Sequence, residues 1–352
     1  MSLPIRVGRF TGEWVEAVRA FNRRVAASGQ QLPETPDPDW MPGMEVYLAI
    51  EGDTVRGGYI LRRQCFWVAG RAIPVAHYRL PLSEGVIDRQ YATLGLRLVR
   101  DALAREPRLY AMGMGGWDKP LPQMLKRLGW RVSEVPFRFK VLRASRFLRN
   151  IRPLRTSALR RLALDVAAFS GAGAIGMQVI GHGSHVLPTK FELAPSFDGW
   201  ADAIWESARD SFPMIAVRDA ATLDALYPSS DARFQRVRAG GGWAVALATQ
   251  MHDHKQFGDM QVGSIVDCLA APGDAEDVIR AATGMLENRG VDLIISNQSH
   301  SDWLSALHAT GFRGGPSNYL VALSPALAAL AGEGPEYTLH FNRGDGDGPI
   351  HL

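Results

Sequence analysis

One pattern occurs twice in this chain, at 109–130 and at 291–312. The first copy has a short apolar strand, Leu109-Tyr110-Ala111-Met112, then Gly113 to Trp117, then a helix ending Arg127-Leu128-Gly129-Trp130. The second has Val291-Asp292-Leu293-Ile294-Ile295, then Ser296 to His300, then a helix ending Ala309-Thr310-Gly311-Phe312. An amphipathic helix precedes each copy, Gly95 to Arg105 and Ala275 to Arg289. A further apolar strand follows each, Arg138 to Leu142 and Tyr319 to Leu323. That order, met twice, predicts two copies of one domain. A length of 352 residues accommodates two domains of ordinary size.

The flanking segments extend both copies. Ile5 to Gly8 reads as a strand and Glu13 to Ala27 as a helix with Trp14, Ala17, Val18 and Phe21 on its apolar face. Val46 to Glu51 and Gly57 to Leu61 read as a hairpin turning on Gly52-Asp53-Thr54. Ile73 to Leu82 is a strand expected at the centre of its sheet. In the second copy, Trp200 to Ser207 reads as a helix. Phe234 to Arg238, Trp243 to Thr249 and Val262 to Leu269 read as strands, with Gly240-Gly241-Gly242 as a turn.

This arrangement resembles the GNAT acyltransferase superfamily, whose last motif is a strand, a helix and Gly-Phe before a final strand. The resemblance covers most of 5–145 and 195–325. It implies an α/β (α+β) fold of two tandem GNAT-like domains, each a mixed, mainly antiparallel sheet flanked by helices. The expected boundaries are 1–145 for the first domain, 146–190 for a basic and Gly-rich connector and 191–330 for the second domain. A loosely held tail is expected at 331–352.

Composition narrows the setting. The 39 basic and 36 acidic residues leave a net charge of +3, too balanced to imply nucleic acid by itself. The cysteines, Cys65 and Cys268, lie in strand-like runs, which argues for a reducing compartment and against a disulfide framework. Met1 to Phe10 lacks the apolar segment of a signal peptide. The longest uncharged apolar run, Val166 to Ile180, is too short to span a bilayer and is broken by Gly171, Gly173 and Gly176. A cytoplasmic protein is expected.

The resemblance implies acetyl-CoA or another acyl-CoA as co-substrate. GNAT proteins hold its pyrophosphate at a turn between the fourth strand and the next helix, patterned Gln or Arg, two residues, Gly, one residue, Gly or Ala. Backbone N–H groups and a helix N-terminus attract the phosphates there. The matching stretch is Gln90-Tyr91-Ala92-Thr93-Leu94-Gly95, with Leu82 at the end of the preceding strand. Thr93 stands where the family has Gly. The second copy has Ala270-Ala271-Pro272-Gly273-Asp274-Ala275-Glu276-Asp277 instead, and its three carboxylates would repel phosphate. The first domain is therefore the expected cofactor site.

Acyl transfer to an amine needs a base for the attacking nitrogen and a proton for the leaving thiolate. The family's usual thiolate donor, a Tyr four residues before the Gly of Gly-Phe, is Leu125 in one copy and Leu307 in the other. Candidate catalytic groups are His77, Tyr78 and Glu84 in the first copy and Asp267 in the second. Strand alternation puts His77 and Arg79 on one face and Tyr78 on the other. Asn297, Gln298 and His300 end the fifth strand of the second copy; they suit either substrate contact or helix capping. His252-Asp253-His254 lacks further ligands nearby, and Asp345-x-Asp347 lacks the closing Glu of a calcium loop, so no metal is assigned.

From Arg138 to Arg161 the chain carries nine basic residues and no acidic one. This series reads as a solvated connector, as a face for an anionic substrate, or, with Phe147, Leu148, Ile151 and Leu154, as a weak peripheral membrane contact. The function implied is an N-acyltransferase acting on the amine of a small molecule, such as an amino sugar or amino acid. Tandem relatives include Fem-type transferases and acyltransferases of polysaccharide clusters. The rivals are a Fem-type enzyme using aminoacyl-tRNA and a non-catalytic binding protein; no DNA partner is expected.

Overall fold

A computed structural model describes residues 4–38, 41–152, 190–271, 273–334 and 338–347. In chain order the elements are β1 (Arg6–Arg9), α1 (Val15–Val25), β2 (Met44–Glu51), β3 (Thr54–Val68), β4 (Arg71–Ser83), α2 (Leu94–Arg105), β5 (Leu109–Met112), α3 (Pro120–Arg127), β6 (Arg131–Glu134), β7 (Phe137–Val141) and α4 (Ala144–Asn150). There follow β8 (Glu192–Leu193), α5 (Gly199–Ala208), β9 (Met214–Ala216), α6 (Ala220–Leu226), β10 (Gln235–Ala239), β11 (Gly242–Gln250) and β12 (Gln261–Ala270). The last are α7 (Ala275–Asn288), β13 (Leu293–Asn297), α8 (Ser301–Ala309), β14 (Arg313–Gly315), β15 (Leu320–Leu323) and α9 (Pro325–Ala331).

These elements build two compact units, each around its own sheet. The first sheet runs β1-β2-β3-β4-β5-β15-β6, with β9 also pairing β3; the second runs β14-β7-β13-β12-β11-β10-β8. Each has one parallel pair, β4 with β5 and β12 with β13, and is otherwise antiparallel. The mixed, mainly antiparallel architecture implied by the resemblance is present twice.

The contiguous boundaries are corrected in one respect: the copies exchange their closing strands. β7 follows the first copy in sequence but pairs with β13 in the second sheet. β15 follows the second copy but lies between β5 and β6 in the first sheet. The first unit therefore combines Met1–Glu134 with Pro213–Val217 and Asn318–Gly334, and the other segments form the second. Alternation determines which face of a strand is buried, not which of two equivalent sheet edges it joins.

In the first unit, Leu94, Leu98, Val99 and Ala102 form one buried stripe of α2 that packs on Tyr59, Ala76 and Tyr78. Burying each large side chain of that stripe is worth about 1.5–3 kcal/mol. In the second, α7 and α8 cover Ala244, Ala246, Ile265 and Ile294, while Phe147 and Leu148 of α4 pack on Met260, Val262, Leu293 and Ile295. Those two apolar side chains are thus taken up by a core, not available to a membrane. Arg143 and Arg146 approach the fully buried Asp292 at 3.5 and 3.6 Å, and Arg152 pairs with Asp253, so part of the arginine series holds the fold. Pro153, Leu154, Arg155, Arg160, Arg161 and the Gly-rich stretch Ser170 to Gly183 lie outside the described residues. No helix among the described residues is long and apolar enough to cross a membrane.

Candidate functional site

In the first unit β4 and β5 pair only at Ala76↔Leu109 and His77↔Tyr110. Beyond that point β4 continues to Ser83 along β3, while β5 pairs with β15. The two parallel strands part, leaving a wedge. Among the described residues no strand pairs with the β5-side edge of β4 from Tyr78 to Ser83. A bulge lies on this stretch: Ile60 faces Arg79 but Gly58 faces Leu82, so β4 carries an extra residue. Leu80 there has φ of 46°, a left-handed conformation that costs a non-glycine residue about 1–2 kcal/mol. Such a bulge bends the strand and re-aims its backbone.

The chain leaves β4 through a tightly anchored loop. Glu84, nearly fully buried, accepts from Arg24 at 2.7 Å and from Arg56 at 2.9 Å. Arg56 also bonds Glu51 at 2.9 Å and lies over the Tyr91 ring. The Tyr91 hydroxyl donates to Glu51 at 2.8 Å, which holds that carboxyl below its ordinary range. A Cβ on Gly85 would come within 2.6 Å of the Tyr91 carbonyl oxygen, so the loop closes only on glycine. Glu84 and Tyr91 are thus the anchors of the turn. Leu82 and Leu94 are buried, whereas Gln90, Ala92 and Thr93 are exposed.

The turn's amides are partly spent. Gln90 N–H donates to the Asp88 carboxylate, Tyr91 N–H to the Asp88 carbonyl and Ala92 N–H to the Arg89 carbonyl. The first bond of α2 runs from Arg97 N–H to the Thr93 carbonyl. The N–H groups of Leu94, Gly95 and Leu96 therefore have no intrahelical acceptor, and they carry the positive end of the helix. Thr93 has φ of −87° and ψ of −6°, ordinary values for any residue, so its replacement of the family's Gly introduces no backbone strain. A Cβ on Gly95 would meet only the Met124 sulfur, at 4.0 Å.

His77 sits at the apex of the wedge, 1% exposed. Its ring stacks on Tyr110, and neither nitrogen has a hydrogen-bond partner among the described residues. Burial, then the charges of Arg79 and Arg62, push its pKa well below 6.5, so the imidazole is neutral. Tyr78 points to the other face, into the core beneath α2, and burial raises its pKa.

The second unit repeats this geometry. β12 and β13 pair from Val262↔Leu293 to Ile265↔Ser296 and then part. Here too a bulge follows, with Val245 facing Asp267 and Ala246 facing Ile265. The surroundings differ. Asp267 accepts from Arg218 and Cys268 N–H at 2.9 and 2.8 Å on one oxygen and from the Tyr227 hydroxyl at 2.8 Å on the other. Asn342 also donates to it at 2.7 Å, and Arg218 bonds Asp345 at 2.9 Å. All five side chains are buried. Asp345 is raised above its ordinary value by burial, whereas its carboxylate partners raise Arg218 against the opposing effect of desolvation. The segment 338–347, expected as loose tail, is instead packed into this unit. Nothing in the Gly-Asp-Gly-Asp-Gly run marked Asp345 as a core residue, and Arg218, Tyr227 and Asn342 carried no motif.

Other sequence candidates in this unit take local roles. Gln298 donates to Cys268 Sγ and Ser296 Oγ, Asn297 donates to the Val135 carbonyl, and His300 caps α8 by accepting from Asp302 N–H. His254 Nδ1 accepts from the amides of Gln256 and Phe257 within its own loop. Glu276 and Asp277 occupy the first turn of α7.

No protein-family model matches this chain, and no curated protein matches it in sequence. Solved structures do. Saccharomyces cerevisiae N-myristoyltransferase with bound myristoyl-CoA is 9% identical, with a TM-score of 0.51 over 92% of this chain and 84% of that one. A conserved protein of unknown function from Enterococcus faecalis V583, named a probable N-acyltransferase, is 10% identical, with a TM-score of 0.51 over 93% of this chain and 74% of that one. Both alignments extend through the two units, and the chain shares the fold of these two structures.

Proposed function

We propose that the protein is an acyl-CoA-dependent N-acyltransferase whose co-substrate binds in the first unit. One observation carries this reading: the edge of β4 from Tyr78 to Ser83, with which no strand pairs on the β5 side among the described residues, leads to a helix N-terminus whose Leu94, Gly95 and Leu96 amides have no intrahelical acceptor. An extended chain bearing amide groups, as the pantetheine arm does, adds to such an edge as a strand would. Its pyrophosphate then meets the positive end of α2. Leu82, Gln90, Tyr91, Ala92, Thr93, Leu94 and Gly95 form the proposed cofactor surface, with Tyr91 anchoring it from beneath.

In the reaction the amine nitrogen attacks the thioester carbonyl, the C–S bond breaks, and the ammonium proton leaves. His77 is the titratable group at the apex of the wedge, neutral and able to accept a proton, and we assign it the base role. Glu84 and Asp267, held by the ion pairs described above, serve as structural anchors in this reading. Leu125 is fully buried and apolar, so the thiolate takes its proton from water or the acceptor. The proposed acceptor is a small-molecule amine such as an amino sugar or amino acid.

The test is calorimetric titration of acetyl-CoA, and then of a longer acyl-CoA, into the whole chain. Saturable binding lost in Gly95→Glu supports the site; no binding by either refutes it. The aminoacyl-tRNA alternative predicts activity that falls steeply with salt. The engagement of Arg143, Arg146 and Arg152 by Asp292 and Asp253 disfavours it.

A further inference from the structure

The second wedge already has an occupant. Residues 339–345 touch both diverging strands. On the β13 side, Ser299 N–H donates to the Phe341 carbonyl at 3.0 Å, and Phe341 N–H donates to Ser299 Oγ at 2.8 Å. Gln298 and Asn342 form a bridge, and Arg343 donates to Asn297 Oδ1 at 3.4 Å. On the β12 side, Asn342 donates to Asp267 at 2.7 Å, and Arg218 links Asp267 to Asp345. A Cβ on Gly344 would lie 2.8 Å from the Asp267 carboxyl carbon, an approach that glycine alone permits. His340 is 1% exposed and packs edge-on against Phe212 and Trp303.

The segment therefore does along β12 and β13 what an extended ligand would do along β4: it supplies backbone and amide partners where two parallel strands part. We infer that Leu339–Asp345 is a built-in ligand of the second wedge, a former cofactor cleft, and that the chain holds one acyl-CoA, in the first unit only. The stoichiometry rests on the proposed acyl-CoA reading; the role of the segment rests on the second unit's geometry alone. The carboxylates Asp274, Glu276 and Asp277 at the start of α7 act in the same direction, opposing any phosphate that approaches.

Hydrogen exchange read by mass spectrometry on the whole chain separates the two halves of this inference. With saturating acetyl-CoA or myristoyl-CoA, exchange should slow at least tenfold in peptides covering Arg79–Ser83 and Thr93–Leu96. It should not change in 266–270 or 339–345, and calorimetry should give one equivalent. A second equivalent, or protection of 266–270 with release of 339–345, overturns the inference. If neither acyl-CoA binds, the proposed function fails, and the ligand-free arm judges the segment. There Asn342→Ala should speed exchange in 266–269 at least tenfold and leave Gly57–Leu61 of the first sheet unchanged. Unchanged exchange in 266–269 shows that the segment does not close the wedge. If Asn342→Ala fails to fold, Asp345→Asn, which keeps the side-chain shape, replaces it with the same expected outcomes.

Discussion

The imidazole of His77 lies on the phenol ring of Tyr110, with centroids 4.4 Å apart and planes 12° from parallel. These two residues form the last register pair of the parallel β4–β5 ladder. The stack therefore marks the point at which the strands part, and it fixes the ring without using either nitrogen. His77→Phe preserves size and stacking while removing the proton acceptor. The expected result is a fall in kcat of about 100-fold or more, the usual contribution of a positioned base, with little change in KM for acyl-CoA. Because the native pKa is depressed, the acid limb of the wild-type pH–rate profile should lie below 6.5. A His77→Phe profile matching wild type in height and shape would remove His77 as the base.

The same burial predicts how stability depends on pH. His77 and His340 both have native pKa values well below 6.5, with burial as the largest cause. The unfolded chain then binds more protons than the native one once pH falls below 6.5. Their stabilising contribution is fully present above that value and is lost as pH falls toward the native pKa values. Each contributes a slope of up to about 1.4 kcal/mol per pH unit in that window. Asp345, raised by burial, acts in the opposite sense above its ordinary 3.8. The comparison is therefore cleanest between His77→Phe and wild type in urea unfolding from about pH 5 to pH 7. The variant should show the shallower loss; parallel curves would contradict the neutral state assigned to His77.

At the turn, Gly95→Glu places a carboxylate beside the three α2 amides that have no intrahelical acceptor. The space around Gly95 admits a side chain, so the fold should survive. Acyl-CoA affinity should fall at least tenfold by calorimetry. Thr93→Gly restores the family's residue at a position with unstrained dihedrals, so it should cost a few tenths of a kcal/mol of stability and leave affinity equal or tighter. Weaker binding in Thr93→Gly would mean that the Thr93 side chain itself contacts the ligand.

Why was some of this legible in the residues and some not? The central strands, α2 and both Gly-aromatic corners followed from hydrophobic period and from Gly129 and Gly311, whose φ values of 80° and 88° suit glycine. The wedge was not visible, since parting strands and continuous ones have the same alternation. The exchange of β7 and β15 was not visible either, because two short apolar strands of similar pattern fit either sheet edge. The Arg218 cluster was hidden for a third reason. Its members come from 218, 227, 267, 342 and 345, and no local spacing relates them. Burial, which sequence does not display, is what makes those charges consequential.

That cluster gives the sharpest stability prediction. Arg218→Ala removes the cation that bonds both Asp267 and Asp345 and leaves two buried carboxylates facing each other. Breaking a buried pair from one side typically costs about 3–5 kcal/mol, because a charge is stranded. Replacing all three ionised groups together, as Arg218→Met with Asp267→Asn and Asp345→Asn, removes the stranded charge. After Asp267→Asn the remaining carbonyl oxygen can still accept from Asn342 and Cys268 N–H, and the Tyr227 hydroxyl can turn to accept from the new amide. Urea unfolding should show the triple variant recovering at least half of the loss seen in Arg218→Ala. If both variants were equally destabilised, the loss would not come from stranded carboxylate charge, and the guanidinium hydrogen bonds of Arg218, absent from both, would be what holds residues 339–345 in place.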